Sequence, residues 1–345
     1  MHTSGAVNRR GSDRLSERVA IVIPVFNDWA PLTVLLPLLD RAIGSRGWIG
    51  EVLVVDDGSV SPITPAMLNQ TYQYLTVEVL RLLRNLGHQR AIAVGLTYLH
   101  NTRSGLRAIV VMDGDGEDKP EDVPLLVEEL VRQGNKSVLF AARTKRLENW
   151  SFQVMYRLYR LVHWLLTGVS VRVGNFSALS PAALSQLVVI SELWNHYSAA
   201  VFRSRVPFRT LPLARGKRYC GKSQMNFPGL MLHGLSAISV FSDIVGVRLL
   251  VATIVLMLGA AGLVAVALGV RFMTPLAIPG WTTNAVGLLI VVLVQSLLLM
   301  LVLAFVILSL RSHVNVIPLR DAPLFVGSVE TIGVPSDVEA LGSRS

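Results

Sequence analysis

Residues 109–123, Ile-Val-Val-Met-Asp-Gly-Asp-Gly-Glu-Asp-Lys-Pro-Glu-Asp-Val, run from four apolar residues through an acidic turn to the start of a helix. Ile109–Met112 reads as a short buried strand, and Pro120–Gln133, acidic at its beginning, as the helix after it. The same order recurs along the chain. Strands are expected at Val19–Pro24, Val52–Val55, Val77–Leu83 and Ser137–Ala142. Among the helices between them, one is opened by Pro31 with Asp28 as its cap, and another covers Gln89–Leu99. Alternating strands and helices predict an α/β domain with a parallel, doubly wound sheet, whose ligands bind beyond the carboxyl ends of the strands.

The residues just after those strands are Pro24-Val25-Phe26-Asn27-Asp28, Asp56-Asp57-Gly58-Ser59 and Asp113 to Asp118. Carboxylates crowded at one edge repel one another unless a cation or hydrogen-bond donors compensate. A divalent metal, Mg2+ or Mn2+, held by Asp113, Asp115 and Glu117 is the simplest account, with solvated Asp-Gly turns as the alternative. The run is no calcium loop, because its sixth and twelfth positions are Asp118 and Pro124. The chain has no P-loop sequence, no Gly-x-Gly-x-x-Gly after the first strand and no Gly-x-Ser-x-Gly.

Composition divides the chain. It has 345 residues, 52% of them apolar and 16% charged, with a net charge of +9. Of the 32 Lys and Arg, 28 precede Leu249. Leu249–Val270 and Phe272–Leu310 carry no charge, and at 1.5 Å per residue the first run reaches about 33 Å, enough for a bilayer core of about 30 Å. Two transmembrane helices are expected, at 247–271 and 285–310. Gln295 in the second span and the small residue Ala260 in the first are read as helix-packing positions. Arg248 and Arg311 flank the pair, so the positive-inside rule puts both termini in the cytoplasm.

Residues 226–243 repeat apolar side chains at helical spacing and read as an amphipathic helix lying on the bilayer, or packed on the domain itself. Trp150–Trp164 is a second aromatic-rich candidate for the interface. Residues 1–18 form a tail without signal-peptide character, and 311–345 form a cytoplasmic tail expected to be disordered from Ser328. The single cysteine, Cys220, excludes an intrachain disulfide and fits a reducing compartment.

The ordered stretches IPVFND, VLVVDDGS, LLRNLGHQRAIAVGL, VVMDGDGEDKPEDVP, VGNFSALS and RYCGKSQ, spread over Val19–Gln224, resemble the family 2 glycosyltransferases of the GT-A (Rossmann-like) fold. Within that family the chain is most similar to the dolichol-phosphate mannose synthase and bacterial polyisoprenyl-phosphate glycosyltransferase branch. The resemblance implies a GT-A nucleotide-sugar-binding domain over 19–225, anchored in the bacterial inner membrane by the two spans.

It further implies that Pro24, Phe26, Asp28, Val55 and Asp57 line the base and ribose pocket. Asp113 and Gly114 would contact the nucleotide sugar, and Asp115 would hold the metal with Glu117. Arg143 and Arg218 would bind phosphates, with Lys145, Lys222 and Gln224 nearby. The reaction implied is inverting displacement on a nucleotide diphosphate sugar, UDP- or GDP-linked, by polyprenyl phosphate. Asp115, Arg143 and Arg218 would be its catalytic groups. Nucleic acid is not an expected partner, and the small residues in the spans permit a homo-oligomer. Another lipid or polysaccharide acceptor, or a catalytically silent nucleotide-binding partner protein, are the alternatives.

Three positions differ from the family pattern. Glu117 replaces a neutral amide, Asn175 replaces the aspartate of Gly-Asp-Phe, and Gln224 replaces a lysine, with Lys222 two residues earlier. An anionic phosphate acceptor does not require a strong base, so Asn175 is compatible with it. His88 is read as a hydrogen-bonded loop residue close to the nucleotide, and His163 and Trp164 as helix packing.

Overall fold

Strand β1, Arg18–Val25, is buried throughout after its first residue, as a strand inside a parallel sheet covered on both faces must be. The computed structural model describes residues 17–61, 71–134, 136–143, 157, 161–169, 173–220, 234–274, 280–312 and 316–333. β1 pairs in parallel with β2 (Ile49–Asp56) and β4 (Ala108–Val111), and β2 pairs in parallel with β3 (Leu75–Leu82). Side chains alternate across the sheet. Val19, Ile21, Ile23 and Val25 join one core with α1 (Leu32–Gly44) and α3 (Asp122–Gln133), whereas Ala20 and Val22 join another with α2 (His88–Thr102). Helix α2 lies close on the sheet because residue 95 is glycine. A Cβ there would stand 2.7 Å from methyl groups of Val22 and Val55.

The remaining elements correct the expectation of a parallel sheet. β5 (Val138–Arg143) is not beside β4; the short β6 (Ser177–Leu179) lies between them, antiparallel to both. Three residues, Ser-Ala-Leu, are too few to show a strand period, so pairing alone reveals β6. Helix α4 (Pro181–Leu187) follows, capped by Ser180, whose hydroxyl accepts from the Ala183 amide. Then come α5 (Tyr197–Arg203) and β7 (Phe208–Leu213), the latter parallel to β5 at one edge. The sheet order is β7-β5-β6-β4-β1-β2-β3-β8.

The chain divides into two compact units: residues 1–148, 171–240 and 316–345 form the sheet unit, and 149–170 with 241–315 form a helical unit. The helical unit contains α6 (Ser242–Met273) and α7 (Trp281–Ser312), both longer than the expected spans. Their apolar windows have mean hydropathy 2.7 and 3.1 and are only 11% and 6% buried, unlike the core helix of a soluble protein. The two are antiparallel, since Gly246, early in α6, meets Ile307, late in α7. Thr253, Ala260 and Ala267 form the buried seam of α6 at heptad spacing, which gives Ala260 the packing position expected of it. Gln295 is exposed while its neighbour Ser296 is buried, so Gln295 does not pack within the hairpin.

Residues 161–167 are helical in the same unit, and the Arg248 guanidinium caps their end by donating to the Trp164 and Leu165 carbonyls at 3.3 and 2.8 Å. His163 is buried with Nδ1 2.9 Å from the Val169 carbonyl, while Leu161, Trp164 and Leu165 are exposed. Of the expected amphipathic helix, residues 234–239 are helical and 226–233 lie outside the described residues.

The chain then re-enters the sheet unit through α8 (Pro318–Asp321) and a 3-10 turn, Ala322–Phe325, to β8 (Val326–Gly333). Ser328–Gly333, expected to be disordered, instead pairs antiparallel with β3. The edge of β3 supplies the backbone partners that no local signal in this polar segment announces. Pro31 occupies the N-cap of α1 with no side-chain cap, so Asp28 does not serve there.

Candidate active site

The carboxyl ends of β1, β2 and β4 bring three loops together, and each has its own lock. Asn27, with φ 52°, ties the first loop to the second. Its backbone N–H donates to Ser59 Oγ at 2.9 Å, and its Oδ1 accepts from the Val60 amide at 2.9 Å. Trp29 Nε1 donates to the Ser61 carbonyl at 3.0 Å. Asp56 Oδ1 accepts from the Ser59 amide, which shapes the turn. Asp57 is 3% exposed and binds the loop after β3, accepting from the Leu86 and Gly87 amides at 2.7 and 2.8 Å. Burial raises its pKa, partly offset by those two amides.

The expected pocket residues therefore separate. Phe26 is exposed and Asp28 half-buried at the loop tip, whereas Pro24 and Val55 are buried beneath it. Asp57 spends both its oxygens on the neighbouring loop.

In the third loop, Asp118 is a brace, its Oδ2 accepting from the Asp113 amide at 2.9 Å. Asp115 Oδ1 accepts from the Glu117 amide, leaving Oδ2 turned toward Arg218 Nη1 at 3.2 Å. The same guanidinium pairs through Nη2 with Asp28, and its Nε donates to the Cys220 carbonyl. Arg215 pairs with Glu117. Two backbone bonds complete the strap, Gly216 N–H to the Glu117 carbonyl at 2.8 Å and Tyr219 N–H to the Asp115 carbonyl at 3.0 Å. Gly116 is needed under it, since its φ is +90° and a Cβ there would collide with the Tyr219 ring.

His88, at the start of α2, faces the same loop. Its Nε2 is 3.3 Å from Asp113 Oδ1 and 3.0 Å from Asn175 Nδ2. A chain of hydrogen bonds stands behind it. The Tyr197 amide can only donate, so Gln89 Oε1 accepts it at 2.8 Å. Gln89 Nε2 then donates to Asn175 Oδ1 at 3.2 Å, which turns the Asn175 amide nitrogen to His88 Nε2; that ring nitrogen accepts from Asn175 when it carries no proton and donates to Asp113 when it does. The His88 side chain is partly exposed; desolvation by its neighbours would lower its pKa, but the carboxylates of Asp113, Asp57 and Asp118 outweigh this and raise it. Asn175 itself is braced from below, its carbonyl accepting from Ser177 Oγ, which also meets the buried Tyr197 hydroxyl.

Thus the fold gathers Asp28, Asp113, Gly114, Asp115, Glu117, His88 and Arg218 at one edge. The backbone of Arg143 ends β5, and Lys145, Lys222 and Gln224 lie outside the described residues. Arg215, Gln89 and Asn27 were not singled out from the sequence. Only the acidity of Glu117, where an amide was expected, hinted that a cation such as Arg215 would be needed.

Among the described residues no three carboxylate or imidazole groups converge as a ready metal cage. Asp113 turns to His88, Asp115 to Arg218 and Glu117 to Arg215. Magnesium and similar hard cations are commonly held by one or two carboxylates and completed by substrate phosphates. The all-oxygen donor set of Asp115 and Asp113 fits that arrangement.

Residues 20–188 match the family described as Glycosyl transferase family 2. This region is a family 2 glycosyltransferase domain. The glycosyltransferase domain, with its mixed sheet and its acidic loop at the strand ends, has GT-A architecture. Undecaprenyl-phosphate 4-deoxy-4-formamido-L-arabinose transferase of Klebsiella pneumoniae (strain 342) is 30% identical over 144 residues, 39% of this chain and 42% of that protein. Dodecaprenyl-phosphate galacturonate synthase of Rhizobium johnstonii is 32% identical over 123 residues, 34% of each chain. The chain thus spans less than half the length of these two relatives. The glycosyltransferase YkcC of Bacillus subtilis is 25% identical over 228 residues, 65% of this chain and 68% of that protein. Among solved structures, glucosyl-3-phosphoglycerate synthase from Mycobacterium tuberculosis, in complex with Mn2+, UDP and phosphoglyceric acid, has a TM-score of 0.48 at 15% identity. That match covers 71% of this chain and 84% of that one.

Proposed function

We propose that the protein is a membrane-anchored inverting glycosyltransferase that moves a sugar from a nucleotide diphosphate sugar to polyprenyl phosphate on the cytoplasmic face. The observation that carries this reading is Arg218, brought onto Asp115 and Asp28, 103 and 190 residues away in sequence, at the strand ends of a glycosyltransferase domain. A planar guanidinium poised there suits a diphosphate, which offers paired oxygens. The names of the two polyprenyl-phosphate relatives supply the acceptor class.

In this mechanism Phe26 and Asp28 border the nucleoside, and the Asn27 and Asp57 ties hold their loops still. Asp115, with Asp113, would hold a divalent metal, which when bound supplies Lewis-acid stabilisation of the leaving diphosphate. Arg218 exchanges its carboxylate partners for the diphosphate and stabilises the charge that grows as the glycosidic C–O bond breaks. The acceptor phosphate oxygen attacks the anomeric carbon from the opposite face. Already anionic, it needs no base as strong as the aspartate that Asn175 replaces.

The hairpin fits a membrane acceptor. The chain leaves the sheet unit at residue 241 and re-enters it at 316, and α6 and α7 are antiparallel, which supports a reading in which both ends of the hairpin emerge on one side of the membrane. Arg248 and Arg320 on those flanks favour the cytoplasm.

The test uses membranes containing the full chain, added polyprenyl phosphate and a panel of sugar-labelled UDP and GDP donors, with and without chelator and beside Asp115→Ala. Metal-dependent label in an acid-labile lipid, absent from the variant, is expected. Nucleotide binding without lipid label from any donor would reject the acceptor assignment.

A further inference from the structure

Gln295 is the only Asn, Gln or charged side chain between Ala285 and Leu310, and it stands at the centre of the apolar span Trp281–Ser309. It is exposed, and it has no hydrogen-bond partner among the described residues. The face of α7 that meets α6 is a different one. Ser296 is buried, and Ile307, three turns later on the same side, touches Gly246 of α6.

A primary amide at that depth is costly, because hydrocarbon offers neither donor nor acceptor. The residues around it set a pattern. Leu288, Val291, Gln295, Leu298, Val302 and Phe305 follow one another at intervals of three and four, and all six are exposed. That is a heptad stripe with one polar residue at a central position, the arrangement that fixes register and copy number between packed helices. Its apolar members do not distinguish a lipid neighbour from a protein neighbour, since acyl chains are as apolar as leucine. Gln295 does.

We propose that this stripe of α7 is an interface with a second copy of the same chain, in which the two Gln295 side chains hydrogen-bond to each other. Two features select that occupant. An amide carries both donor and acceptor and so is complementary to itself. Copies of one chain inserted the same way meet in parallel about an axis along the membrane normal, which brings residue 295 of each to the same depth. Such an interface is independent of the reaction proposed above.

The test uses the full chain in its membrane, with Cys220→Ser as background and single cysteines at Leu288, Val291, Leu298 and Val302 on the stripe. Ile290 and Leu297, exposed on another side, serve as controls. Oxidation should yield covalent dimers from the stripe positions and few from the controls. Gln295→Leu, which makes the span more apolar and so preserves insertion, should raise the dimer dissociation constant about 3- to 30-fold, while Gln295→Asn retains the dimer. Cross-linking equal on all faces or strongest at the controls would overturn the proposal. So would a dimer indifferent to Gln295→Leu, or cross-links formed only to a different polypeptide.

Discussion

The two ends of the sheet carry the same ion-pair chemistry put to different uses. At the amino ends of the strands, Arg103, just after α2, donates to Glu51 on β2 at 2.9 Å and to both oxygens of Glu78 on β3 at 2.6 Å, and Arg18 on β1 also pairs with Glu51. Every carboxylate there sits on a paired strand, so the network ties neighbouring strands and the end of a helix into one piece. At the carboxyl ends, Asp28, Asp115 and Glu117 lie on turns, and their partners Arg215 and Arg218 come from a loop with glycine at 216. The first set of pairs has no competitor for its charges. In the function proposed above, a metal and a diphosphate would compete for the second set, which would make its pairing exchangeable.

The sharpest break in this comparison is Arg218→Ala. It should lower kcat/KM by about a hundred-fold or more, the usual loss when a donor to developing charge is removed. The midpoint of thermal unfolding should stay close to that of the parent protein. A large loss of stability with unchanged turnover would reverse the two roles assigned here.

Arg103→Ala should do the opposite. It removes the guanidinium from both Glu78 oxygens and leaves Glu51 with Arg18 alone, at a cost of about 2 kcal/mol in denaturant unfolding. The donor KM of the folded fraction should not move. A rise in KM without destabilisation would mean that the amino-end network reaches the cleft.

The smallest effect sharpens the comparison within the site. Glu117→Gln and Arg215→Gln should each weaken binding of a nucleoside diphosphate with Mn2+ by about five- to ten-fold, and the double variant should be no worse than either alone, because both break one contact. Isothermal titration of the three variants checks this. Additive losses would show that Glu117 acts on the metal independently of Arg215.

Much of the scaffold was legible beforehand. The β-branched runs at Val19–Pro24, Val52–Val55 and Ile109–Met112 became β1, β2 and β4 because a strand buried on both faces needs a continuous apolar run, which is visible locally. The acidic turn at Asp113–Asp118 and the arginine at 218 were equally visible. What escaped was pairing. β6 is three residues long, and β8 is a polar segment whose strand exists only because the edge of β3 accepts it. Asp28 reads as a helix cap from its position before Pro31, yet the approach of Arg218 takes it elsewhere.

The sequence by itself determined the α/β character of the domain, the carboxylate-rich turn and the two apolar spans, since each depends on periodicity or composition within some twenty residues. Only the tertiary structure decided that Arg215 and Arg218 clasp that turn, that Gln89 and Asn175 stand behind His88, and that the last strand returns to the first domain's sheet. Those contacts join residues roughly 90 to 250 positions apart. Their chemistry was written in the residue types, but their meeting depends on the order of the strands, which no local pattern encodes.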